Sequence, residues 1–494
     1  MRRTMIAAAA AALTLAAPGV AAATGTGADA SDPSVAQLEQ AGRGGAPGQQ
    51  AVSGAAGVGD PYFPLEGNGG YDVRTYDLSL AYEPASDPLD GLALITARAK
   101  QTLSSLHVDL QGLEVRSVRV NDVPASFTRD GQELVITPGN RLQDRSTFQV
   151  AVDYGGSPQT IVGSPIVFGS PYGFLHTDDG NFVGAEPNAA STWFPNNDHP
   201  SDKAAYVFRV TVPEGKRVIA NGRLVSQETT NGRSTFTWEE LEPMATYLAT
   251  VDTGDWLFKT GTTPAGVPET VAVDPVLLNG QPNAVDFFFD TSAQATDYLA
   301  TQFGPYPFAS TGAIADNATY QGRALGFSLE TQTRPVYSAV RSSTTIAHEL
   351  AHQWFGDSVS VADWHHIWLN EGFASFAEYL WLEHLGTRTA HESFARDYAR
   401  LATSTFWQVV VADPQRDTMF ASAVYRRGAM TLQALREKIG DEKFFQILST
   451  WAAEHRHGNG TTEQFTALSE RISGRDLGAF FQTWLYTPAK PTSW

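Results

Sequence analysis

Thr345-Ile-Ala-His348-Glu349-Leu-Ala-His352-Gln-Trp-Phe355 is the stretch from which the rest of the chain is read. Its two histidines lie four residues apart, so on a helix both imidazoles leave one face, one turn apart. Two nitrogens so placed can take two corners of a zinc tetrahedron, and Glu349 beside the first can reach a water on the metal as general base. A third ligand is then required, and the chain has no cysteine. Downstream, Trp368-Leu-Asn370-Glu371-Gly372-Phe373 opens the next helical run, with Glu371 nineteen residues after His352. Helix, loop and helix at that spacing can return a carboxylate to the metal. A set of His348, His352 and Glu371 leaves the fourth position open for water, the pattern of a catalytic rather than a structural site. The expected cofactor is one Zn²⁺ per chain.

Outward from this helix the pattern divides in two. After about Phe258, helices are expected over Ala284–Phe303, Ser342–Phe355, Glu371–Leu385, Ala390–Thr403, Ala421–Ile439, Asp441–His455 and Thr462–Ile472. Gly386, Gly440 and Gly474 sit where helix stops belong. Before it, from about Tyr71 to Trp256, short runs with period-two alternation read as strands, among them Leu92–Lys100, Phe148–Tyr154, Tyr206–Val212 and Thr246–Val251. The turn signals Pro213-Glu-Gly215, Asn221-Gly222 and Asn231-Gly232 separate them. The expected fold class is α+β: an N-terminal antiparallel β-sandwich or saddle over residues 66–256, then a mostly helical domain over 257–494. No internal repeat and no heptad is visible.

The 494 residues suit two or three domains. Lys and Arg number 34 against 53 Asp and Glu, a formal net charge of −19, which repels nucleic acid and anionic membrane surfaces. The absence of cysteine excludes a disulfide framework and a thiol nucleophile. At the N-terminus, Met1-Arg2-Arg3, an Ala-rich apolar run to Leu15 and Pro18-Gly19-Val20-Ala21-Ala22-Ala23 form a charged region, a short hydrophobic region and a small-residue cleavage site. Residues 1–23 are therefore expected to be a signal peptide, and residues 24–65, rich in Ala, Gly, Ser and Gln, a flexible leader. The run is too short to span a bilayer. Secretion without cysteine points to a bacterial, extracellular protein.

His348–Phe355 together with Trp368–Phe373 resembles the M1 family of zinc aminopeptidases, the gluzincin group that includes aminopeptidase N and leukotriene A4 hydrolase. Glu186-Pro187, Trp193-Phe194-Pro195, Asp198-His-Pro200-Ser-Asp-Lys203 and Pro243-Met-Ala-Thr-Tyr247 extend the likeness into the β-domain, so that it covers about residues 70 to 487. The resemblance implies a thermolysin-like zinc peptidase domain that hydrolyses N-terminal residues from peptides. It implies that Tyr425, in Val424-Tyr425-Arg426-Arg427-Gly428, stabilises the oxyanion, with Arg427 where the family has lysine. It also implies that Glu330, in Phe327-Ser328-Leu329-Glu330-Thr331, and Glu186 grip the substrate's α-ammonium. Phe327 and Thr331 depart from the family's glycine and asparagine in that strand.

Glu378, seven residues after Glu371, faces the same way and either orients a zinc-ligating imidazole or is a helix-surface acid. Asp357, Asp363 and His366 depart from the family's usual residues, and His365 with His366 offers a second, weaker metal cluster. Trp354, Trp364 and Trp368 read as packing around the site. Because the chain ends at Trp494, soon after the Phe480–Trp484 stretch where the family's catalytic domain ends, the resemblance implies a short member without the C-terminal β and helical lid domains. The expected whole is a secreted, monomeric aminopeptidase acting on peptides with a free N-terminus, with no nucleic-acid or membrane partner. The rival readings are an endopeptidase or oligopeptidase with an open cleft, and a decayed peptide-binding protein.

Overall fold

The computed structural model describes residues 51–493; the expected signal peptide lies outside them. Alternation builds the N-terminal half. Lys203–Pro213 buries every second side chain, so Ala204, Tyr206, Phe208, Val210 and Val212 face inward. It lies within an eight-stranded sheet, paired antiparallel to Arg233–Ala245 on one side and parallel to Tyr71–Tyr82 on the other. Leu89–Ala99 and Thr147–Gly156 continue the sheet antiparallel. The expectation of a purely antiparallel domain therefore misses one parallel pair inside the large sheet. A second, five-stranded sheet contains Tyr172–His176, Asn181–Gly184 and Val251–Gly254. Its fully buried strand Asn181–Gly184 leads directly to Glu186.

Two local expectations are corrected here. Thr246–Val251 is not one strand but a 3₁₀ turn, Thr246–Leu248, followed by the strand Val251–Gly254. Buried side chains favour the turn: the Thr246 hydroxyl donates to Asp198 (2.6 Å), and Asn221 Nδ2 donates to the Leu248 carbonyl (2.9 Å). The leader, expected to be flexible through residue 65, is packed from residue 52 onward. Val52–Ser53 pairs parallel to the strand Leu103–Asp109, and Tyr62 and Phe63 are buried. One carboxylate organises that segment. Asp60 accepts from the backbone N–H of Tyr62 (2.7 Å), Phe63 (2.9 Å) and Trp364 (2.8 Å), and pairs with His199 Nε2 (3.1 Å). The strap thus joins both halves of the chain.

The C-terminal half opens with a five-stranded mixed sheet, which the helical reading did not anticipate, in the order Leu257–Thr262, Pro268–Val273, Thr311–Ala315, Val336–Tyr337 and Ser328–Leu329. Its edge strand Ser328–Leu329 immediately precedes Glu330. Around it lie α1 (Ala284–Phe303), α2 (Ser343–Ala351), α3 (Trp368–His384), α4 (Ala390–Tyr398), α5 (Ser422–Ile439), α6 (Asp441–Glu454) and α7 (Thr462–Ser473). α4 stops five residues short of the expected end; Leu401 beyond it is 76% exposed, so an extended helix would have no core to bury. Gly440 and Gly474 end α5 and α7 as expected. Among the described residues, no helix is long and apolar enough to cross a membrane.

One helix contact fixes the site. A Cβ on Gly372 of α3 would stand 2.9 Å from the Gly428 Cα of α5, and a Cβ on Gly428 would stand 2.7 Å from the Gly372 Cα. The two backbones touch, which only glycine at both positions allows. Glu371 and Tyr425, one residue before and three residues before these glycines, are thereby brought to the same cleft.

Candidate active site

α2 begins because the Ser342 hydroxyl caps it, accepting from Thr345 N–H (3.1 Å). Its buried face carries His348 and Glu349, and His352 closes its last turn. α3 follows after a short loop and presents Glu371 to the same point. His348 Nε2 lies 3.2 Å and His352 Nε2 3.5 Å from Glu371 Oε2. Donors about 2.0–2.2 Å from one tetrahedral zinc are roughly 3.3–3.6 Å apart, so this set fits the metal. The remaining ring nitrogens are committed elsewhere. His348 Nδ1 meets Glu378 Oε1 at 3.0 Å, and His352 Nδ1 meets the Phe355 carbonyl at 3.1 Å. Those partners fix the tautomers that turn both Nε2 lone pairs inward. Glu378 is in turn held by Arg426 Nη1 at 2.7 Å. Of the two readings open for Glu378, the structure gives the imidazole partner; Arg426, beside Tyr425, is a member of the relay that the sequence did not reveal.

Electrostatics separates the two helix acids. Burial opposes ionisation of Glu371, but His352 and the hydrogen bonds with both imidazoles hold it down to about 2. Burial pushes Glu349 up to about 7, with Glu330 and Glu371 adding to the rise and the imidazoles opposing it. The same helix pair thus shifts its two acids in opposite directions: the imidazoles win at Glu371, and burial wins at Glu349. Tyr425 stacks along His348, ring centroids 6.1 Å apart at 14°. Burial, then the charges of Glu371, Glu186 and Glu330, hold its phenol protonated, well above the usual range. It is a hydrogen-bond donor facing the cleft.

Glu186 and Glu330 arrive from the two halves of the chain. Among the described residues, the buried Oε1 of each has no hydrogen-bond partner. Burial and then the Glu330 charge raise Glu186 well above the carboxylate range, and burial raises Glu330 as well. Unpartnered buried carboxylate oxygens are costly unless a donor completes them. Gln353, a residue the sequence gave no reason to single out, holds this end to the metal helix: its Nε2 donates to the Glu330 carbonyl (3.1 Å) and its Oε1 accepts from Thr333 N–H (2.7 Å). Lys203, from the β-domain, donates to the carbonyls of Asp357 (2.7 Å), Ser358 (3.0 Å) and Gly458 (2.9 Å), pinning the loop after α2.

Trp354, Trp364 and Trp368 are fully buried packing residues. Donor atoms of Asp363, His365 and His366 lie within 4.8 Å of one another, but Asp363 also caps the turn that carries the histidines, accepting from His365 N–H, and His366 Nδ1 is engaged by Thr462 (3.0 Å).

Residues 306–484 match the peptidase family M1 domain, and residues 73–248 match the peptidase M1 N-terminal domain. Aminopeptidase N of Lactococcus lactis subsp. cremoris (strain MG1363) is 27% identical over 443 residues, 85% of this chain and 51% of that protein. Aminopeptidase M1-B of Oryza sativa subsp. japonica is 29% identical over 307 residues, 59% of this chain and 35% of that protein. The chain thus spans about half the length, or less, of these curated relatives. Among solved structures, the M1 zinc metallopeptidase from Deinococcus radiodurans superposes with a TM-score of 0.79 at 29% identity, covering 88% of this chain and 98% of that one. A mutant of the same enzyme bound to a Tyr-Ser-Ala substrate gives 0.80 at 28% identity, with the same coverage.

Proposed function

Given that the chain belongs to the M1 family of zinc metallopeptidases, we propose that it is an aminopeptidase that removes N-terminal residues from peptides. One observation carries this reading: two unpartnered, buried carboxylate oxygens, of Glu186 and Glu330, stand beside a His, His, Glu donor set. An α-ammonium completes both through charge-assisted hydrogen bonds. With the substrate's first residue held there, only its first peptide bond lies over Glu349 and Tyr425.

His348, His352 and Glu371 would hold one zinc, which when bound would supply Lewis acidity toward a carbonyl and lower the pKa of water toward neutral. Glu349 accepts the proton of the attacking water and passes it to the leaving amine. Tyr425 donates its phenolic hydrogen to the carbonyl oxygen as negative charge develops there. Glu378 and Arg426 keep the His348 ring in register, and Gln353 keeps Glu330 in place relative to α2.

Secretion is part of the proposal and rests on the composition of residues 1–23. Mass spectrometry of the protein recovered from culture medium tests it: a mature N-terminus near Ala23 supports export, and an intact Met1 in the cell fraction opposes it. The monomeric state is tested by light scattering on the eluting peak.

Peptide hydrolysis decides the activity. One peptide is offered to the zinc-loaded protein with a free and with an acetylated N-terminus. Stepwise loss of residues from the free form alone is the expected result. Internal cuts in both forms would make the protein an endopeptidase. Failure to cut either form, with zinc bound, would make it a peptide-binding protein.

A further inference from the structure

Beside the ammonium anchor lies a cavity of about 270 Å³ whose lining includes Glu186, Tyr425 and the Ser328–Leu329 strand that leads into Glu330. Its walls come from both halves of the chain: Phe168 and Tyr172 from the β-domain, Phe327, Leu329 and Phe420 from the catalytic domain. Among the described residues, Glu186 is the only charged one on the lining. The Tyr172 hydroxyl is spent on Asn188 Oδ1 (3.0 Å), so this residue presents ring rather than polar edge. The cavity sits just under the roughly 300–1,000 Å³ of pockets that enclose drug-sized ligands, which is room for one large side chain and not for a run of residues.

Phe327 shapes this space and is itself held. Its carbonyl accepts from Ser338 Oγ (2.7 Å) and Arg341 Nη2 (3.0 Å). Its ring leans on Phe182, with centroids 5.8 Å apart, and lies over Gly184, where an added Cβ would come within 2.6 Å of the ring. The ring fills the place a side chain at 184 would take. Phe168 stands opposite on a surface turn and is 70% exposed in the absence of anything to cover it.

We propose that this cavity receives the side chain of the substrate's N-terminal residue and selects large apolar and aromatic ones, with Phe327, Phe168 and Phe420 as the specificity-determining residues. The inference rests on the aminopeptidase reading and adds the substrate class to it. Covalent geometry links the two: a residue whose ammonium is gripped by Glu186 and Glu330 has its Cα about 1.5 Å from that nitrogen, so the side chain is the group that enters a cavity opening at Glu186. Aromatic walls pack a ring or a branched aliphatic group and expel water from it. An acidic side chain meets only the carboxylates of the anchor. A basic one finds no carboxylate on the lining besides Glu186, which the ammonium already uses.

The test uses the full zinc-loaded chain and a set of aminoacyl coumarin amides. The expected kcat/KM for Phe, Tyr, Leu and Met exceeds that for Ala or Gly by ~10–100-fold, and Lys and Glu fall below the large apolar group. Phe327→Ala should lower kcat/KM for the Phe amide by about tenfold and that for the Ala amide by less than about threefold; equal losses would mark a merely structural role. Phe168→Ala, at a position 70% exposed, should change the same ratio in the same direction by ~2–5-fold. A preference for Ala, Lys or Glu would overturn the pocket assignment and leave the aminopeptidase reading intact. If no amide is cut, the aminopeptidase reading fails, and binding decides the pocket alone. By calorimetry on Glu349→Ala, the peptide Phe-Ser-Ala should bind at least about tenfold tighter than Ala-Ser-Ala; equal binding overturns the proposal.

Discussion

The metal end and the anchor end of the cleft are built on opposite principles. At the metal end, His348, Glu349, His352, Glu371 and Glu378 come from two consecutive helices, and both ligand imidazoles have a partner on the nitrogen turned away from the metal. At the anchor end, Glu186 and Glu330 come from two distant segments, and among the described residues each keeps a buried oxygen without a partner. On the proposed reading, the first is complete before substrate arrives and the second is completed by it. The difference teaches how the two ends are made: one is a prearranged local unit, and the other an assembly that tertiary packing alone creates.

The sharpest way to break the comparison is to remove the proton carrier alone. Glu349→Gln should lower kcat by ~10²–10⁴-fold while zinc content by elemental analysis stays at the wild-type level. Loss of zinc would show that this carboxylate also maintains the ligand set. Tyr425→Phe should lower kcat by ~10²-fold with KM nearly constant, because its hydrogen bond strengthens only as charge develops. A changed KM with constant kcat would move Tyr425 from the chemistry to the anchor.

Glu330→Gln should act at the other end, raising KM for free peptides by ~10–100-fold and leaving zinc content unchanged. An unaltered KM would remove Glu330 from recognition. The glycine contact between α3 and α5 sets Tyr425 against the metal end, so Gly428→Ala should force the helices apart, cost about 1–3 kcal/mol in denaturant unfolding, and weaken zinc retention and kcat together. A stable variant with normal kcat would show that the contact is slack.

The smallest effect lies outside the cleft, at the N-terminal strap. Burial works against ionisation of Asp60, but His199 and the three backbone N–H groups hold its carboxyl below the usual range. A lowered folded-state value means that its contribution is present above the unfolded carboxylate pKa of about 3.9 and is lost as pH falls through the folded value. Asp60→Asn should therefore cost about 1–2 kcal/mol at pH 7, a gap that closes as the pH falls below about 4. A gap independent of pH would mean that shape rather than charge holds the strap.

The sequence by itself determined the metal end. Four-residue spacing on a helix places His348 and His352 on one face whatever surrounds them, and the next helix start supplies Glu371. Period-two and helical patterns likewise marked α1 to its end residues and three strands of the large sheet, Leu89–Ala99, Thr147–Gly156 and Lys203–Pro213. The same local reasoning stopped where a segment takes its form from distant partners. Composition made residues 52–65 look like a linker, and only Asp60 and Tyr62 meeting Trp364 and Asp413 across the chain turn them into a strap. The catalytic-domain strands Thr311–Ala315 and Val336–Tyr337 are too short, and too buried on both faces, to show alternation. For Glu186, Glu330 and Tyr425, resemblance indicated the residues, but nothing in their neighbours along the chain says that they share a cleft. Gln353, Lys203 and Arg426 act through contacts with no periodic signature, and the aromatic cavity exists only where Phe168, Phe327 and Phe420 are brought to one place. Spacing along one helix is a local property that sequence carries in full; convergence of separate segments is settled by long-range packing, here down to two glycine backbones in contact.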